Sequence, residues 1–317
     1  MLIRPASHEY RTWIVDSRRW NHYRPRPADI VVTTYPKCGT TWMQQIVNLL
    51  IFQTPEVRPL DRISPWIDRR VPAPIEDVIA SVEAQGHRRA LKSHLPLDGL
   101  PLYDEVRYIH VGRDGRDAVM SFHNHGTGFK EQVLAALDGA GLADETIARP
   151  YPRIPADPAE YFAKWLRTGA ISGQSDGYQF MSYFDFEKTY WRERHRPNIL
   201  LVHYNDMKAD LEGEMRRVAA FLDIAISEEI LPWLLRAASF ESMKRDGAAL
   251  MPGVSGMFNG GAERFFNRAQ NGRWKDVFRS EDLAAYDAKL AATLPPACIR
   301  WLEGGKRAVG DPREIAG

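Results

Sequence analysis

Cysteine is scarce in this chain: of 317 residues only Cys38 and Cys298 carry a thiol, far apart and in no metal-ligand spacing. That usage gives no support to a disulfide framework and points to a reducing, cytoplasmic setting. Long apolar runs are missing as well, and none approaches the roughly eighteen residues that span a bilayer. The start, Met1 to Val15, carries Arg4, His8, Glu9 and Arg11 where a signal peptide would need an apolar stretch. Charge of one sign is absent too. Forty-two Lys and Arg against 41 Asp and Glu leave a formal net charge of +1, so bulk electrostatics recruits neither nucleic acid nor a membrane surface. Any anion must be bound at a focused site. No internal repeat, heptad, low-complexity run, linker-like boundary or metal-ligand cluster breaks the chain, and one domain over 1–317 is the expectation.

What is present is an alternation of short β-rich runs and helical patterns. The runs are Ile30–Thr34, Arg89–Ser93, Val106–Val111 and Ile199–Tyr204. Helical spacing follows the first over Trp42–Phe52, the third over Asp114–His125 and the fourth over Asp210–Asp223, where Leu211, Met215, Val218 and Leu222 make one stripe. Such alternation predicts an α/β fold with a mainly parallel central sheet flanked by helices on both faces. Gly126–Pro158 mixes Gly, Pro and charge and reads as loops. Arg245–Gly272, with Gly247, Gly253, Gly256, Gly260 and Gly261, cannot hold a long regular element and reads as a lid.

The first run leads directly into Tyr35-Pro36-Lys37-Cys38-Gly39-Thr40-Thr41-Trp42 and a helix. Strand, tight turn, lysine, hydroxyls and helix start are the parts of an anion cradle, because free N–H groups and the helix dipole face the ligand. A tight turn with an N-capping threonine is the plainer alternative. G-x-x-x-x-G-K-[ST] is absent, since the lysine precedes the glycine, so this is not a Walker A loop.

The string TYPKCGTTW resembles the 5′-phosphosulfate loop of cytosolic sulfotransferases, usually YPKSGTTW, with Cys38 in place of serine. The resemblance continues in order. Lys92-Ser93-His94-Leu95-Pro96 is similar to the family's K-x-H-L-P segment, and Arg113 with Ser121 fits its R-x-x-x-D-x-x-x-S run. Ser239-Phe240 matches its Ser-Phe pair, and Asn267 to Lys275 resembles R-K-G-x-x-G-x-W-K.

The resemblance implies a sulfotransferase fold and a donor, 3′-phosphoadenosine 5′-phosphosulfate (PAPS), needing no metal. It implies His94 as general base and Lys37 and Lys92 beside the transferring group. Cys38, Gly39, Thr40 and Thr41 would lie on the phosphosulfate, and Trp42, Phe184, Ser239 and Phe240 at the adenine. Arg113, Ser121, Arg268 and Ala269 would hold the 3′-phosphate. Besides Cys38, three positions depart: Asn267 replaces an arginine, Ala269 a glycine and Phe184 a tyrosine. The short dimer motif of the family is also unmatched, its T-V step being Arg279-Ser280 here, so that form of homodimer is not supported.

The acceptor expected is a small molecule with a hydroxyl or amine. Its pocket would draw on Trp66 to Pro74, Phe122 to Lys130, Tyr161 to Trp165 and the Met243–Phe266 lid, which are rich in aromatic and apolar residues. His123 and His125 are a polar departure near a position where the family commonly has a ring. Two rival readings remain at this stage. A P-loop kinase would need a lysine after the glycine and a magnesium-binding Asp. A non-catalytic nucleotide-binding protein would have no use for His94.

Overall fold

The computed structural model describes residues 1–315, so the last two residues of the expected domain lie outside the described residues. Four parallel strands form the central sheet: β1 (Ile30–Thr33), β2 (Ala90–Ser93), β3 (Arg107–Gly112) and β4 (Ile199–His203), in the order β2-β1-β3-β4. Each expected run becomes a strand, shortened or shifted by a residue at its ends, where hydrogen bonding stops. A two-stranded antiparallel pair, Leu2–Arg4 with Leu102–Tyr103, lies apart from it.

Alternate side chains of each strand enter different cores, as the pleat requires. Ile30 and Val32 of β1, with Ile109, Val111, Leu200 and Val202, pack under α1 (Thr40–Phe52) through Met43, Ile46, Val47 and Leu50. Met215, Val218 and Leu222 close the same face. Val31, Leu91, Tyr108 and Leu201 turn to the opposite face and meet an aromatic core that includes Tyr35, Trp165, Tyr183 and Tyr190. Helices on both faces of a parallel sheet follow from this double burial.

Strand order places β1 between its sequential successors β2 and β3, so the chain switches direction of winding at β1. Crevices at such a switch point open outside the carboxyl ends of the strands, the usual ligand position in open α/β sheets. One expected loop region differs. Within Gly126–Pro158 the chain forms α3 (Glu131–Leu142), which follows α2 (Gly115–Gly126). Its glycines, Gly139 and Gly141, hid a helix that tertiary packing stabilises through buried Leu137 and Gly141. The glycine-rich lid behaves as expected, with helices of four or five residues at Gly247–Leu250, Val254–Met257 and Gly261–Phe265.

Candidate active site

The turn after β1 sets the site. Lys37 and Gly39 both take left-handed backbone conformations, with φ of +71° and +112°. Gly39 is needed there on steric grounds also, since a Cβ would lie 3.1 Å from the Tyr204 ring. For Lys37 the conformation costs about 1 kcal/mol, a strain typical of functional turns. Gly39 is the N-cap of α1 and offers no side-chain cap. The N–H groups of the first helical turn therefore stay available for an anion. The N-capping threonine alternative is thereby corrected: the Thr40 hydroxyl instead shares a 2.6 Å hydrogen bond with Thr34 Oγ1.

A cavity of about 890 Å³ opens at the carboxyl ends of the strands. From the β1 turn it is lined by Lys37, Gly39, Thr40, Thr41 and Trp42. Lys92 and His94 enter from β2, Arg113 and Ser121 from β3 and α2. Ser239, Phe240, Arg268 and Ala269 complete the set from the C-terminal third. Segments far apart in sequence are thus brought to one surface.

The register explains the central pairing. Thr33 of β1 lies opposite Ser93 of β2, so Thr34 and His94 leave the sheet together, and His94 Nδ1 sits 2.7 Å from the Thr34 carbonyl oxygen. A carbonyl only accepts, so Nδ1 carries the proton and Nε2 is left with its lone pair. Burial, then the charge of Lys92, holds the His94 pKa well below its ordinary value, which keeps the ring neutral. Lys92 Nζ lies 4.2 Å over the Trp66 ring, and burial with the charge of Arg69 brings its pKa to about 7. Lys37 is pulled to about 8 by burial and by Arg113.

Arg113 is fixed on three sides. Its guanidinium donates to the Lys37 carbonyl at 2.8 Å and to Asn271 Oδ1 at 2.7 Å, and it lies 4.1 Å over the Tyr204 ring. Its Nε is buried without a hydrogen-bond partner, a donor that an entering anion can satisfy. Trp42 is steered by an Nε1–H bond of 2.8 Å to Ala238 O, and its ring meets Tyr204 edge-on. The hydroxyl of Ser239 caps the helix Phe240–Arg245 by accepting from Ser242 N–H.

Two expected donor residues are elsewhere. Cys38 does not line the cavity: its N–H closes the turn onto Tyr35 O at 3.3 Å and its thiol is buried in the aromatic core. The turn needs the residue before Gly39 to point inward, so a small side chain suffices. Phe184 is also in that core, packed with Trp165, Tyr183 and Tyr286. Its neighbour Tyr183 is buried in the same core and braces the site from behind, donating to Arg113 O at 2.6 Å. Among the acceptor segments, Tyr161 to Trp165 is corrected in the same way, since Tyr161, Phe162 and Trp165 are buried core.

The remaining wall is apolar and partly unforeseen. Ile14, Val71, Phe129, Val133 and Leu137 line it with the lid residues Val254, Met257 and Phe258. Lid and α3 are zipped together by Asn259 N–H to Gly128 O at 2.8 Å and Lys130 N–H to Met257 O at 2.9 Å. His125, singled out in sequence as a polar departure, lines the cavity half-buried against Phe129 and Phe258 and accepts from Lys37 Nζ at 3.3 Å. Burial and the charge of Lys37 hold its pKa well below the ordinary value. Tyr204 and α3 were missed by sequence reasoning. The position of Tyr204 directly after a strand was the signal for the first; for α3 there was only the weak stripe Val133, Leu134, Leu137.

A nucleotide-sized cavity lined by lysines and arginines, with a neutral imidazole among them and an apolar extension beside them, is the site of an α/β protein built to hold an anionic ligand. The comparisons with known proteins say which one. A sulfotransferase domain is matched over residues 27–294. A glycolipid sulfotransferase of Mycobacterium tuberculosis is 34% identical over 309 residues, covering 94% of each chain. Sulfotransferase 1B1 of Mus musculus is 26% identical over 292 residues, covering 88% of each. Among solved structures, retinol dehydratase in complex with androsterone and the inactive cofactor PAP superposes with a TM-score of 0.68 at 22% identity, covering 88% of this chain and 84% of that one. A mouse sulfotransferase complexed with PAP gives 0.63 at 17% identity, covering 88% and 89%. The chain belongs to the PAPS-dependent sulfotransferase family, and the kinase and non-catalytic readings are set aside.

Among the described residues no group of three His, Cys, Asp or Glu could hold a metal, and no helix is long and apolar enough to cross a membrane.

Proposed function

We propose that this chain, acting as a single domain, moves a sulfuryl group from PAPS to a hydroxyl of an apolar or amphiphilic acceptor. The observation that carries the reading is the convergence of Lys37, His94 and Arg113 from the ends of three adjacent strands on one cavity. The residues fit the donor: Arg113 has an orphaned buried Nε, α1 has uncapped N–H groups, and the basic residues outnumber the carboxylates around them.

PAPS supplies the sulfuryl group, and its S–O bond to the 5′-phosphate breaks as the bond to the acceptor oxygen forms. His94 Nε2 takes the acceptor proton, a role worth roughly 10²–10⁴ in rate. Lys37 and the N–H groups of Thr40 and Thr41 stabilise charge growing on the leaving phosphate, as in phosphoryl transfer, where positioning and electrostatics do most of the work. Lys92, beside His94, carries its charge to the transferring group. Trp42 and Phe240 give the adenine ring its stacking surfaces, Ser239 flanks them, and Arg113, Ser121 and Arg268 with the backbone of Ala269 hold the 3′-phosphate.

The acceptor limb between α3 and the lid is apolar, which favours a hydroxylated lipid-like molecule. The mycobacterial relative named as a glycolipid sulfotransferase supports that class. The two free, buried cysteines accord with a reducing cytoplasm, and no dimer through Arg279-Ser280 is proposed. A screen of alcohols, phenols, sterols and glycolipids with labelled PAPS tests the reading. Transfer to at least one apolar hydroxyl is expected; labelled sulfate appearing only on free sugars or amines would contradict it.

A further inference from the structure

Asn267 leaves the 3′-phosphate end of the site one positive charge short of the pattern that its segment resembles, and the same loop carries a spare. Arg273 lines the cavity together with Arg113 and Arg268. The loop that presents it is tied down at several points. Lys208 Nζ donates to Ala269 O at 2.9 Å, Arg113 donates to Asn271 Oδ1 at 2.7 Å, and Gly272 N–H donates to Asp117 Oδ1 at 2.7 Å. Ala269 and Gly272 both take left-handed conformations, φ +48° and +77°, so the chain doubles back between Arg268 and Arg273.

The nearby carboxylates do not balance these arginines, although the charge of Asp117 reaches Arg273. Asp114 pairs with Arg116 at 2.7 Å, and Asp117 holds the Gly272 amide. Arg113, Arg268 and Arg273 form no ion pair among the described residues. Burial, then the charges of Arg268 and Arg113, pull the Arg273 pKa down and outweigh the opposing charge of Asp117, as expected of cations crowded against too little negative charge. A fixed loop that presses like charges together is stabilised only when an anion joins them, and a doubly charged phosphate offers acceptors for several guanidinium groups at once.

We propose that Arg273 supplies the charge missing at Asn267 and, with Arg113 and Arg268, makes the enzyme selective for a nucleotide bearing a 3′-phosphate. The inference rests on the donor reading above. Its test separates the two. Calorimetric titration of the full chain with 3′-phosphoadenosine 5′-phosphate and with adenosine 5′-phosphate measures the preference for the 3′-phosphate. In Arg273→Gln the former should weaken about tenfold or more, the value of one charge-assisted contact, while the latter changes little. Adding Asn267→Arg to that variant should restore the preference, and Arg273→Lys should keep part of it. A thermal unfolding trace checks that each variant is folded. Preference retained in folded Arg273→Gln overturns the inference and leaves the donor reading standing. No preference in the unmodified chain overturns both.

Discussion

The Nδ1–H of His94 donates to the carbonyl oxygen of Thr34 at 2.7 Å, which links the end of β2 to the start of the anion loop. One hydrogen bond therefore fixes the tautomer of the base and its place beside Lys37. Because the strands run in parallel register, neither residue can shift without moving the sheet. His94→Ala is expected to abolish transfer, with a loss of about 10²–10⁴ in kcat, while 3′-phosphoadenosine 5′-phosphate binds nearly as before. Steady-state kinetics beside calorimetry checks the split; near-normal kcat would remove His94 from the role.

The pH profile should follow the same ring. Its pKa is held well below the ordinary imidazole value of 6.5 by burial and Lys92. A base with a lowered pKa stays unprotonated further into acid, so the acidic limb of kcat/KM should fall below pH 6.5. A limb centred at or above that value would show that burial and Lys92 do not hold the ring below its ordinary pKa.

Donor binding should take up protons. Burial and neighbouring cations bring Lys37 to about 8 and Lys92 to about 7, and an anionic ligand raises both. Well below pH 7 both lysines are already charged and affinity is flat; as pH rises through 7 and 8 first Lys92 and then Lys37 must be protonated on binding, so affinity falls. Calorimetry at pH 8.5 in buffers of differing ionisation enthalpy measures the uptake. Lys37→Met should remove part of it and lower kcat.

Much of this was legible in the sequence. Strand runs were readable because buried parallel strands are short, continuous and β-branched, as in Ile30–Thr33. The loop, His94, Arg113 and Arg268 were readable because their spacing is a local string. What failed was local in sequence but decided in space. Phe184 and Tyr183 are both packed in the aromatic core, where the Tyr183 hydroxyl meets the Arg113 carbonyl, and no string records that packing. The helix Glu131–Leu142 was hidden because its glycines weaken intrinsic propensity, which the lid contacts at Lys130 and Gly128 overcome.

Cys38 should be inert. Its thiol is fully buried, and burial with the charge of Glu187 pushes its pKa well up, although it stands beside a helix start. A thiol reagent should label neither Cys38 nor Cys298 in the native chain and both after unfolding. Cys38→Ser should leave donor affinity unchanged; rapid native labelling would show that the loop opens.

A stability prediction concerns β2. Arg89 and Asp29 are only 1% and 2% exposed and pair through Nε to Oδ1 at 2.9 Å, with the Tyr23 hydroxyl on the same carboxylate at 2.7 Å. Removing Asp29 takes the buried partner from Arg89 and leaves it only the more exposed Glu83, 2.8 Å away. Asp29→Ala should lower stability by about 3–5 kcal/mol, read from urea unfolding, whereas Arg216→Ala, which removes a surface pair with Glu228, should change it little.

The donor assignment is the centre of the account, and calorimetric titration tests it most directly. With 3′-phosphoadenosine 5′-phosphate in the presence of chelator, tight metal-independent binding is predicted, with ATP and magnesium far weaker. Preference for ATP with magnesium would contradict it.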